Sequence, residues 1–198
     1  MAAAATITAT DAATLANANA LNTYTTGQVT LNSVQDTVAN ITTIDGLTTS
    51  EVTMAAATVS ITDTGATKTQ VDAVNAFTTG TVTPTSISEA RTAIATLQGT
   101  TGISLATTNI TVTDQVTMAQ ADTINGYTTG QVILNSVSDT VTNLATIESL
   151  DDAVMKFADD GAISVSDAAT LANANTINGY TTGQVTLTSV SDLSLIHI

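Results

Sequence analysis

The sequence predicts an α/β fold: a right-handed solenoid of strand–helix repeats, each about 26 residues long, with a parallel sheet and all helices on one of its faces. Three observations predict it. The chain repeats itself, an acidic residue recurs at one place in each repeat, and the apolar period changes at that residue from two to about three.

The stretch from Asp11 to Asp36, DAATLANANALNTYTTGQVTLNSVQD, returns at Asp167 to Asp192 as DAATLANANTINGYTTGQVTLTSVSD, with 21 of 26 positions identical. A third copy runs from Asp114 to Asp139. Aligning the weaker copies gives a series of acids at Asp11, Asp36, Asp63, Glu89, Asp114, Asp139, Asp167 and Asp192, spaced by 25, 27, 26, 25, 25, 28 and 25 residues. Residues 1–192 therefore read as a single array of seven to eight units. The six residues 193–198, LSLIHI, leave the pattern; SLIHI resembles translated sequencing-adapter read-through in an incomplete metagenomic frame and is kept out of the fold argument.

Before each acid stands a strand. In one variant, as in VSITD, ITVTD and ISVSD, apolar residues lie two and four positions before the acid. In the other, as in VTLNSVQD and VILNSVSD, they lie two and seven before it, so Val34 would fall on the opposite face from Val29 and Leu31 unless a bulge or corner intervenes. The two variants alternate, giving a double period near 52. After each acid the spacing becomes helical, as in Leu15, Ala18, Leu21 and Tyr24, or Met118, Ala121, Ile124 and Tyr127. An acid at that boundary predicts a helix N-cap at Asp11, Asp36, Asp63, Glu89, Asp114, Asp139 and Asp167. The motif Tyr/Phe-Thr-Thr-Gly predicts that each long helix stops at a left-handed glycine, Gly27, Gly80, Gly130 or Gly183.

Composition narrows the function classes. Three Lys and Arg residues against 17 Asp and Glu give a net charge of −14, and a chain without a basic cluster cannot neutralise phosphates, which excludes nucleic acid as a partner. No apolar run reaches the roughly 18–20 residues of a bilayer span, so no membrane insertion is expected. Cysteine is absent and the start, MAAAATITAT, lacks a signal peptide's basic and apolar regions. The sole histidine, His197, lies in the off-pattern tail, which leaves no material for a His-based triad or zinc site, so no enzyme is expected.

Alternation also predicts a weakly charged hydroxyl face on the far side of the sheet, presenting Thr8, Thr10, Ser60, Thr62, Thr111, Thr113, Ser164 and Ser166 as a candidate binding surface. The cluster Asp151, Asp152, Asp159 and Asp160 in DDAVMKFADDG is the one candidate calcium site; it matches neither an EF-hand loop nor a nonapeptide calcium repeat, and no other cofactor is expected. Tyr24, Phe77, Tyr127 and Tyr180 occupy one place in successive double units, with core packing the default and sugar stacking the alternative.

Units such as VSITDTGATKTQVDAVNAF and ISVSDAATLANANTINGY resemble the strand–Asp–Ala-rich-helix repeats of very large secreted bacterial surface proteins and adhesins, cyanobacterial ones included. The resemblance covers residues 5 to 192. It implies an extracellular, cell-surface setting, adjacent repeats of a longer chain and cell-surface polysaccharide as partners, and a role as adhesive segment or spacer without an active site. Two other readings accompany it: a module whose Thr/Ser face binds ice or polysaccharide, and a calcium-stiffened linker.

Overall fold

The computed structural model describes residues 4–47 and 51–191. Asp192 and the tail 193–198 lie outside them. The fold is α/β, with parallel strands interleaved by short helices, and the chain divides into two compact bodies. Among the described residues, one consists of 4–47, 51–88 and 93–109, the other of 89–92 and 110–191.

The first body runs β1 (Ile7–Ala13), α1 (Leu15–Tyr24), β2 (Val29–Asp36), α2 (Val38–Gly46), β3 (Val52–Thr53), β4 (Thr58–Ile61), α3 (Lys68–Asn75) and β5 (Val82–Pro84). β6 (Ser86–Glu89) and α4 (Arg91–Gly99) contribute residues to both bodies, and the first residue of the strand Asn109–Val116 belongs to the first. Strand order is β1-β2-β4-β5, with β3 also against β2, every pairing parallel. The second body runs β7 (Asn109–Val116), α5 (Met118–Asn125), β8 (Val132–Asp139), α6 (Val141–Leu144), a 3-10 turn (Ala145–Ser149), β9 (Met155–Ala169), α7 (Leu171–Asn178) and β10 (Val185–Val190). Its strands lie in the order β10-β9-β8-β7, again parallel.

Apolar residues in register build the core as continuous ladders. In the first body these are Ile7–Val29–Val52, then Ala13–Val34–Val59–Val82–Ile103, then Ala66–Ile87. In the second they are Ile110–Val132–Met155, then Val116–Val137–Ile163–Val185, then Ala169–Val190. Every member is buried except Ile7, Ile103, Val185 and Val190, which all stand at ladder ends. The ladders explain the double period. The repeats holding residues 52–66 and 155–169 pass through three ladders, whereas β2 and β8 pass through two, so pairing steps sideways by one ladder every second repeat within each body.

The register breaks where the alternation demanded a corner. Ala9 pairs with Leu31 and Ala12 with Ser33; Val112 pairs with Leu134 and Gln115 with Ser136. Opposite Asn135, β9 carries the four residues Ala158–Gly161 and bulges to fit them. The helices bury one stripe each, with Ile41 and Ile44 on α2, Val71 and Val74 on α3, and Ala121 and Ile124 on α5 fully covered. In the first body α1 packs beside α2 and α2 beside α3; in the second α6 packs beside α7.

Candidate functional site

At six of the helices the N-cap residue is a threonine that follows the recurring acid and not the acid itself. Those N-caps are Thr14, Thr37, Thr67, Thr117, Thr140 and Thr170, each with extended backbone and a side chain accepting from the third helical amide. Asn17, Gln70, Gln120 and Asn173 reach back to complete capping boxes. The physical reason lies two residues beyond the acid. Ala13, Val116 and Ala169 fill the core, so the chain stays extended past Asp11, Asp114 and Asp167, and the helix starts later.

What the acids hold is the helix of the preceding repeat. Asp36 accepts from the Leu15 amide (2.9 Å), Asp63 from Val38 (2.6 Å), Asp114 from Arg91 (2.7 Å), Asp139 from Met118 (2.9 Å) and Asp167 from Val141 (2.8 Å). Each amide belongs to the first residue of its helix, where a carboxylate meets an orphan donor and the positive dipole end. Asp36 and Asp139 serve two helices at once. Their second oxygen takes the amides of Thr37 and Thr140 (2.8 and 2.9 Å) and the side chains of Asn40 and Asn143 (2.7 and 2.8 Å). Burial alone would raise both carboxyls, but these bonds to the charged form outweigh it and hold both below the usual aspartate value. Asp11 is exposed in β1, with no helix before it among the described residues, and Glu89 closes β6 two residues before α4.

The glycines of the Thr-Thr-Gly motif also act differently from expectation. The helices end three to five residues earlier, at Tyr24, Asn75, Asn125 and Asn178, and among the described glycines only Gly65 (φ 69°) and Gly102 (φ 87°) are left-handed. Glycine is required instead by close approach between repeats: a Cβ on Gly27, Gly80 or Gly183 would overlap the carbonyl of Ala5, Ala57 or Asp160. The first threonine of the motif fastens that contact. Thr78 Oγ1 donates to the Ala57 carbonyl (2.6 Å) and accepts from the Gly80 amide (2.9 Å); Thr181 does the same with Gly161 (2.6 Å) and Gly183 (2.8 Å), and Thr25 with Ala5 and Gly27. Thr78→Val keeps the shape and strands both backbone groups, so it should cost about 1–3 kcal/mol in urea titrations. Thr79→Val, which loses only an exposed bond to Ala55, should cost far less.

The hydroxyl face exists as short rows. Thr8, Thr30 and Thr53 align in the first body and Ser138, Ser164 and Thr186 in the second. Ser60 stands between Gln35 and Thr83, while the row of Thr111 continues into Ile133 and Lys156, which break a regular threonine array. Thr10, Thr62, Thr113 and Ser166 are exposed at the corners or strand ends. Gln115 donates to Ser164 (3.1 Å), tying one hydroxyl into the sheet surface.

Asp151, Asp152, Asp159 and Asp160 are all exposed. Asp151 accepts from the Ala153 amide, and Asp159 pairs with Lys156 (3.3 Å) while its carbonyl accepts from Thr181 and Thr182. Among the described residues no three His, Cys, Asp or Glu side chains converge to hold a metal ion. The aromatic series leaves the core: Tyr24 is 71% exposed, and Phe77, Tyr127 and Tyr180 are half-buried. Tyr180 lies in an open cleft with Glu148, Lys156 and Phe157, and its phenol is pushed up by burial and then by the Glu148 charge. Among the described residues no helix is long and apolar enough to cross a membrane. Comparison with protein-family models, with curated proteins and with solved structures yields no match.

Proposed function

We propose that this chain is a structural and adhesive segment of an extracellular surface protein of the adhesin kind, a right-handed α/β solenoid with its helices on one face. It acts as a spacer or as a multivalent presenting surface, with neighbouring repeats as its immediate partners and surface polysaccharide as the ligand of its hydroxyl rows. The observation that carries this reading is the acidic ladder: the starts of α1, α2, α4, α5 and α6 are each completed by an aspartate of the repeat that follows, so repeats depend on one another as in a linear array. Rows of three hydroxyls make weak contacts individually, and repetition on one scaffold turns weak contacts into avidity.

Duplicating residues 115–167 tests the reading, because the insertion rejoins Asp167 to Gln115 at equivalent places in the pattern. A longer array should melt in one transition at higher temperature and bind polysaccharide-coated beads more than in proportion to its length. An unchanged melting temperature, or turnover of a small substrate by the isolated chain, would overturn it.

A further inference from the structure

Two serines of the hydroxyl face are covered by an amide in one body and bare in the other. In the second body the Gln115 carboxamide reaches across from β7 and donates to Ser136 on β8 (3.5 Å) and to Ser164 on β9 (3.1 Å). Ser136 in turn donates to the Ala162 carbonyl (3.2 Å), so its lone pairs face the amide. The register identifies the counterparts in the first body. Gln115 pairs with Ser136 as Ala12 pairs with Ser33, Ser136 with Ala162 as Ser33 with Thr58, and Ser164 with Thr186 as Ser60 with Thr83. Where the second body has a carboxamide, the first has only the exposed methyl of Ala12, which has no donor to offer either serine.

An open groove of about 260 Å³ stands there instead, lined by Ser33, Thr58, Val59, Ser60, Thr81 and Thr83. It lies inside the sheet: β2 has β1 and β4 on its two sides, β4 has β2 and β5, and β5 has β4 and the bridge to Ile103. None of its five hydroxyls is bonded to another group among the described residues. Each hydroxyl both accepts and donates, and Val59 adds an apolar floor, so the groove suits a group that combines an N–H, a carbonyl and a methyl. The net charge of −14 turns away polymers rich in uronate or sulfate and leaves neutral sugars. Among the common substituents of neutral sugars, the acetamido group is the one that carries an amide.

We propose that this groove binds the acetamido group of an N-acetylated amino sugar in a neutral polysaccharide, its N–H donating to Ser60 as the Gln115 amide donates to Ser164. Ser60 is the main acceptor because its counterpart makes the shorter of the two contacts. The acetamido carbonyl then takes a threonine hydroxyl, and the methyl rests on Val59. This rests on the reading of the hydroxyl rows as a polysaccharide surface and adds to it the class of sugar and the place where it sits. It also explains why the two bodies differ: the second carries its own amide over the same two serines.

Amide chemical-shift titration of the full chain tests this, with fully N-acetylated chitotetraose as the probe and cellotetraose, which carries a hydroxyl in place of each acetamido group, as its control. Chitotetraose should shift Ser33, Ser60 and Thr83, and cellotetraose should bind about tenfold more weakly, the worth of one good hydrogen bond. Ala12→Gln places in the first body the side chain that covers the serines in the second, and should abolish these shifts while the rest of the spectrum keeps its wild-type positions. The double variant Gln115→Ala, Ala162→Thr uncovers the second pair and restores the missing hydroxyl, and should add shifts at Ser136 and Ser164. Equal affinity for the two tetrasaccharides overturns the proposal whether or not either variant folds, as does wild-type binding by a folded Ala12→Gln chain or a folded double variant without new shifts. If neither tetrasaccharide binds while polysaccharide-coated beads still retain the chain, the polysaccharide reading stands and only the acetamido groove fails.

Discussion

Gly80→Ala should destabilise the protein by about 3 kcal/mol, at the upper end of what one added methyl costs in a packed interior. The methyl would overlap the Ala57 carbonyl, and it would also press on Ala56. These are backbone atoms and cannot rotate aside, so relief requires neighbouring repeats to separate. Separation in turn loosens the Thr78 staple and the pairing of Val59 with Val82. Gly46→Ala supplies the control. A Cβ there meets nothing within 4 Å, and the residue ends α2 without a positive φ, so the same substitution should stabilise by about 0.5–1 kcal/mol. Urea midpoints of both variants give the comparison. Similar values for the two would mean that the Thr-Thr-Gly turn is looser than its geometry.

Asp139→Ala should cost about 2 kcal/mol, because one side chain completes the start of α5 and of α6 together. A pH titration isolates the charge. Asp36 and Asp139 titrate below the usual aspartate value of about 3.9 in the folded protein, so folding binds them in the ionised form. Their contribution is fully present above the unfolded-state value and disappears as pH falls through the lower folded-state value. Relief of self-repulsion in a chain of charge −14 works in the opposite direction over the same range. Comparing the wild type with the Asp36→Asn, Asp139→Asn double variant separates the two effects. The wild type should lose more stability between pH 5 and pH 2, roughly the range over which carboxylates protonate, and equal losses would assign the acids no role as charged caps.

Much of this arrangement was legible in the sequence, for reasons that can be given residue by residue. Alternation before the acids and threefold spacing after them located the strands and helices, and the parity conflict between Leu31 and Val34 located the corner. The role of the acids was read one repeat out of place. Sequence puts Asp114 next to α5, while folding puts it beside Arg91, 23 residues earlier, and such a partner is visible only once strands are in register. The signal was nevertheless present, since a threonine stands immediately before the stripe in Asp-x-x-Thr and directly after Asp36 and Asp139, and threonine is itself a good cap. The glycines were misassigned because a left-handed turn and a close approach both demand glycine, and one chain cannot distinguish them. The hydroxyl face was found as a face, but Gln35, Ile133 and Lys156, which interrupt it, come from neighbouring strands that the single-strand pattern does not align.

The acidic ladder also sets the order of events during synthesis. The amide of Leu15 waits for Asp36, 21 residues later; that of Val38 waits 25 residues for Asp63, and that of Val141 waits 26 for Asp167. A chain emerging from the ribosome therefore carries, at each of these stages, one helix whose first turn is incomplete, and the next repeat finishes it on arrival. Folding follows the growing end at a distance of one repeat, so the stretch of polypeptide awaiting its partner stays short however long the finished protein becomes.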